Sequence, residues 1–178
     1  QAMPAAFATG APPGPAGQAL ATAARLILAQ IGAELIVVDV SGWDTHVGEA
    51  ARLERGLGQL GAAIAGFASA LGDKLADVTL VTVSEFGRTV RENGTGGTDH
   101  GSATMSLVLG GQVAGGRIHG AFPGLAEGQR FEGRDLAIAT DTRDLLADVL
   151  AGTLGVGPAE LAAIFPDHAV RRLGIMRA

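Results

Sequence analysis

Cysteine is absent from the 178-residue chain, which excludes disulfides and thiolate chemistry and leaves the redox compartment open. Charge is scarce as well. Charged residues make up 17% of the chain, the net charge is −5 and the pI is near 5.3. The only paired cations near one end are Arg171 and Arg172. Nucleic acid and an anionic membrane surface are therefore poor choices for a main partner. No uninterrupted apolar run reaches the ~18 residues that a membrane span requires. The best stretch, residues 19–40, is broken by Arg25, Gln30 and Glu34. The first residues lack the basic start and small-residue cleavage site of a signal peptide, so the sequence reads as a soluble chain.

What the chain does have is apolar surface to bury: 47% of residues are hydrophobic and 28 are glycine, a composition that suits one compact domain and no second one. Residues 1–17 carry four of the seven prolines and no charge, as a linker or loop would. A helix is expected over 18–30 from Leu20, Ala23 and Ile27. It is followed by ELIVVDV, an unbroken apolar run of the kind found in strands covered on both faces. Leu53, Leu57, Leu60, Ile64, Phe67 and Leu71 recur at alternating gaps of four and three, one stripe of an amphipathic helix. VTLVTV (78–83) and TMSLVL (104–109) read as two further strands. Strand, helix and strand with so long a crossover form the parallel βαβ unit. Asp141 or Thr140 can cap a helix closed by Gly155, and Pro158 can start a short last helix that Pro166 ends.

Polar residues concentrate in two places. SGWDTHVG follows the first apolar run, and SEFGRTVRENGTGGTDHGSA (84–103) gathers charge and glycine between the other two. In an open parallel sheet, sites form beyond the carboxyl ends of the strands, which is where Asp44, His46 and Glu85 fall. Asp99 and His100 lie at the start of the third strand and reach the same edge only if the loop folds back or that strand runs antiparallel. Carboxylates and imidazoles are ligands for Zn²⁺, Mn²⁺ or Mg²⁺. Two such ions would stabilise both the entering and the leaving oxygen of a phosphoryl or sulfuryl transfer. Simpler readings stand beside this one: Asp44 capping a turn, Glu85 paired with Arg88, and Asp99-His100 forming an Asx-turn. The glycine spacing matches neither the P-loop nor the Rossmann fingerprint.

Taken in order, WDTH, SEFGRT and N-G-x-G-G-T-D-H-G, then an apolar strand, a Gly-Gly turn and a short aromatic-Pro segment, resemble the C-terminal half of the bacterial domain of unknown function 1501 family. Members of that family usually begin with a twin-arginine export signal, and the family looks like a branch of the alkaline phosphatase and sulfatase superfamily. The resemblance covers residues 16–165. It implies an α/β fold, a mainly parallel sheet flanked by helices, with two divalent metals at the carboxyl edge, and a periplasmic or exported protein. Asp44 and His46 match the Asp and His that follow a central strand. Glu85 stands where an Asp-His pair is usual, and His100, with Asp99 beside it, matches the late histidine. One residue rather than three separates Asp44 from His46, and Ser84-Glu85 removes one nitrogen ligand. The superfamily's nucleophile and first metal-binding Asp come from a preceding part. Residues 18–178 are therefore expected to be the C-terminal part of a single alkaline phosphatase-like domain.

The function so implied is metal-dependent hydrolysis of a small anionic phosphate or sulfate ester. Asp44, His46, Glu85, Asp99 and His100 would be ligands or ligand supports, and Arg88 would neutralise the substrate anion. The alternative is a non-catalytic exported protein that keeps the fold and binds a partner or a glycan. A third reading gives the polar loops an architectural role only.

Overall fold

A computed structural model describes residue 12 and residues 14–177. They group into two compact units: residues up to 75 together with Asn93–Gly97, and Ala76–Glu92 together with residues from Thr98 onward. Most of the expected linker, residues 1–11 and 13, lies outside the described residues.

The first unit is built on two helices. Helix α1 (Pro15–Leu28) starts with Pro at its first position, where the missing N–H costs nothing. Its buried residues are mostly alanines, Ala16, Ala21, Ala23 and Ala24, with Leu20. Short side chains on one face let α2 (Glu49–Leu71) pack closely against it. The predicted stripe of α2 is buried at its far end, at Phe67 and Leu71, whereas Leu57 stays exposed. A 3-10 turn, Gly72–Asp77, closes the helix. Residues 34–40, expected as a strand covered on both faces, belong to no ladder among the described residues, and Leu35 and Val37 are 73% and 82% exposed. An apolar run becomes a buried strand only where another strand offers its N–H and C=O groups, and no described strand pairs with this segment.

The second unit holds the short strands. Strand β1 (Thr79–Val81) pairs antiparallel with β4 (Val108–Gly110) in the register Thr79↔Gly110 and Val81↔Val108. The ladder is carried one step further by Thr82 N–H donating to the Leu107 carbonyl at 3.0 Å. Strands β2 (Gly87–Arg88) and β3 (His100–Gly101) form a second antiparallel pair. The parallel βαβ pairing is not formed among the described residues, and the direction left open for the third strand is antiparallel. That direction puts the end of β1 opposite the start of β4, so the whole 82–107 connection leaves and returns at one edge of the ladder.

Helix α3 (Thr142–Leu154) is capped by Asp141, whose carboxylate accepts from the Arg143 N–H, and ends at left-handed Gly155. Helix α4 (Pro158–Ile164) follows. The core gathers Val113, Leu145, Val149 and Ile175, with Val81, Val108, Leu173 and Met176 packed around it. Two aspartates of α3 are as buried as these. Asp144 is 0% exposed and accepts from His168 Nε2 at 2.7 Å, the Arg171 amide at 2.9 Å and Arg171 Nε at 3.1 Å. Asp148 accepts from the Leu173 and Ile175 amides at 2.9 and 3.2 Å. Burial disfavours the charged form of Asp144, but the Arg171 amide, His168 and the Arg171 guanidinium together outweigh it and hold the carboxyl below its ordinary range. Residues 168–175 are thereby fastened to α3.

Candidate metal centre

In the first unit, the loop between residue 40 and α2 carries Trp43, Asp44, Thr45 and His46. Asp44 Oδ1 and His46 Nε2 are 3.0 Å apart, with both side chains partly open to solvent. Between them, Thr45 points the other way. It is 1% exposed, and its hydroxyl donates to Glu49 Oε1 at 2.8 Å. Alternation along the loop therefore buries the threonine as an anchor and leaves the aspartate and histidine outward.

The glycine-rich segment 93–97 clasps this loop. Asn93 Nδ2 donates to the His46 carbonyl at 3.0 Å, and the Thr95 hydroxyl donates to the same oxygen at 2.7 Å. Asn93 Oδ1 accepts from the Thr95 and Gly97 amides at 2.9 and 3.1 Å, an Asx-type turn that fixes the clasp's own shape. The carbonyls of Thr95 and Gly96 in turn take the N–H groups of Gly48 and Glu49, which would otherwise be orphans at the entry to α2. Gly97 is buried against the His46 and Thr45 backbone, and a Cβ there would overlap the His46 carbonyl. The glycines serve close backbone approach, and Asn93 and Gly97, which the motif contains without a role of their own, act with Thr95 as positioning residues.

In the second unit the rest of the 84–103 segment is tied down from both ends. Val90 N–H donates to the Arg134 carbonyl, and the Ser102 hydroxyl donates to buried Asp135 Oδ2 at 2.8 Å. Arg134 holds the Asp135 carboxyl below its usual range, with Ser102 adding to the effect against the opposing pull of burial. Asp99 is bound at its backbone: its N–H donates to Thr89 Oγ1 and its carbonyl accepts from Thr89 N–H. His100 stacks on Phe86 with ring centroids 4.0 Å apart and planes inclined by 9°. Arg88 sits opposite His100 in the β2–β3 register, places its guanidinium carbon 4.9 Å from the Phe86 ring centre and donates to the Thr98 carbonyl at 2.7 Å. Glu85 is exposed, with no hydrogen bond or ion pair among the described residues. The sequence pattern of the DUF1501 family, described as a protein of unknown function, matches residues 1–168.

The chain belongs to DUF1501.

Neither a curated protein nor a solved structure matches it. Of the residues that the sequence singled out in this DUF1501 chain, the first unit brings Asp44 and His46 together. The second gathers Arg88, Asp99 and His100 around the β2–β3 pair, with Glu85 three residues before Arg88. A carboxylate oxygen and an imidazole nitrogen 3.0 Å apart make an Asp–His ion pair, and the same separation is open to neighbouring ligands on one ion. Two donors at ~2.1 Å from a Zn²⁺ or Mg²⁺ centre are separated by roughly 3.0–3.4 Å. No helix among the described residues is long and apolar enough to cross a membrane.

Proposed function

We propose that this protein is a divalent-metal-dependent hydrolase of phosphate or sulfate esters, working in the periplasm on an alkaline phosphatase-like α/β fold. The reading rests on the Asp44–His46 pair, whose donor atoms are spaced as neighbouring metal ligands and whose loop is held by the Asn93–Gly97 clasp. His100 joins the proposed set on the family resemblance, in which it matches the late histidine.

In this proposal Asp44, His46 and His100 hold the ion, a mixed oxygen and nitrogen set suited to Zn²⁺ or Mn²⁺. Asp99 and Glu85 supply further carboxylate charge, and Arg88 faces the substrate anion. The ion would supply Lewis-acid polarisation of the ester oxygen. The chain's own work is orientation. Thr45 and the clasp fix where Asp44 and His46 point, and Phe86 fixes the plane of the His100 ring.

The test is elemental analysis of the protein beside Asp44→Ala, His46→Ala and His100→Ala, with hydrolysis of p-nitrophenyl phosphate and p-nitrophenyl sulfate measured on the same samples. Stoichiometric divalent metal, lost in all three variants together with hydrolysis, is the expected outcome. A folded wild type that takes up no divalent metal refutes the proposal.

A further inference from the structure

One face of α2 in the first unit carries Arg52, Arg55 and Gln59 at the i, i+3, i+7 spacing that stacks side chains on one side of a helix. Together with Ser41, Gly42 and Gly56 they line an open cleft of about 310 Å³. Its chemistry is one-sided. Two guanidinium groups, an amide and a hydroxyl supply many N–H and O–H donors, and no carboxylate lines the cleft. Neither Arg52 nor Arg55, both exposed, makes an ion pair among the described residues. Glu49, the acidic residue nearest the start of the helix, accepts from the Thr45 hydroxyl through Oε1. The adjoining apolar recess is walled by Trp43, Val40 and Leu60, and the edge of the Trp43 ring lies against Gly56.

We infer that this cleft is a binding site for an oxyanion, a phosphate or sulfate group, held between the Arg52 and Arg55 guanidinium groups. Planar guanidinium forks match the oxygen spacing of tetrahedral oxyanions and bind them through paired charge-assisted hydrogen bonds. The volume is at the lower limit of small-molecule sites, enough for one such group with a small substituent. Gln59 and Ser41 complete the donor set. The Trp43 recess beside the cleft gives an organic ester an apolar surface that a free inorganic ion cannot use. The site requires no metal, so it stands apart from the proposed Asp44–His46 centre.

Titration of the full chain in EDTA with inorganic phosphate, inorganic sulfate and p-nitrophenyl phosphate, read by ¹H–¹⁵N shifts, tests this. Expected are saturable shifts confined to residues 41–43 and 52–59, with affinity at least about ten-fold weaker in Arg52→Gln/Arg55→Gln. Arg52→Lys/Arg55→Lys should retain part of the affinity, which separates loss of donors from loss of the fold. Tighter binding of the ester than of phosphate assigns an organic ester, and equal binding assigns the free ion; either supports the oxyanion site. Absence of saturable shifts, shifts centred elsewhere, or equal affinity in the Gln double variant would overturn it. Because EDTA is present throughout, failure of the metal centre leaves this result untouched.

Discussion

Replacing Asp144 by Ala should be among the most damaging single changes in the second unit. The carboxylate is completely buried and receives three donors from residues 168–171. Their contributions differ. The Arg171 side chain is 71% exposed, so its ion pair is well screened and worth less than about 1 kcal/mol. The Arg171 amide and His168 Nε2 are the inner contacts, and hydrogen bonds to a charged acceptor each contribute about 1.5–3 kcal/mol. Removing one partner of a buried charged set costs about 3–5 kcal/mol, a large share of the 5–15 kcal/mol typical of a folded domain. Urea unfolding followed by circular dichroism, with amide exchange along α3, would measure it. Arg171→Ala should cost less than about 1 kcal/mol, because the backbone donor survives.

The pH dependence has a definite sign. The folded carboxyl is depressed, so its contribution is complete above the ordinary Asp value of about 3.9 and fades as pH falls through the folded value. Asp144→Asn lacks this group and turns an amide donor toward existing donors. The stability gap between wild type and Asp144→Asn should therefore be widest near neutrality and shrink below about pH 4. An Asp144→Ala variant within about 1 kcal/mol of wild type, or a gap constant down to pH 2.5, would refute the reasoning.

Three other expectations concern the clasp and the stacked pair. Gly97→Ala drives a Cβ into the His46 carbonyl and should cost about 1–3 kcal/mol and lower the metal content of the proposed centre; urea midpoints and elemental analysis check both. Asn93→Ala leaves the Thr95 and Gly97 amides without their acceptor and should destabilise by about 1–3 kcal/mol, with NMR shifts concentrated at residues 45–48. Phe86→Leu removes the ring stacked on His100 and should abolish the upfield ring-current displacement of the His100 ring protons, a one-spectrum test.

What the sequence disclosed follows from which forces are local. α2 and α3 were legible because helix period, the Asp141 cap and the Gly155 stop all lie within a few residues of one another. Strand direction is not local: VTLVTV and TMSLVL look the same whether they pair parallel or antiparallel, and only the ladder register Thr79↔Gly110 decides. Residues 34–40 show the same limit, since an apolar run records a tendency to be covered but not which partner covers it. Asp44 and His46 could be found by residue type. The clasp could not, because Asn93 and Thr95 act on a carbonyl 47 and 49 residues away, and an Asn in a glycine-rich loop looks like any turn former. Asp144 and Asp148 left a trace in hindsight: two acids at i, i+4 on the apolar side of α3, and an Arg171-Arg172 pair later in the chain.

The dependence of α3 on residues 168–175 bears on how the protein is made. Synthesis proceeds from the amino end, so α3 emerges from the ribosome with two carboxylates and an apolar face whose partners have yet to be translated. Until Ile175 arrives, burying Asp144 and Asp148 is unfavourable, and the alternative leaves Leu145 and Val149 in water. The second unit is therefore expected to close only after residues 168–175 have been made. A message truncated between the codons for Leu154 and His168 would yield a product that chaperones and proteases recognise as unfinished, although every residue of the candidate metal centre had already been made.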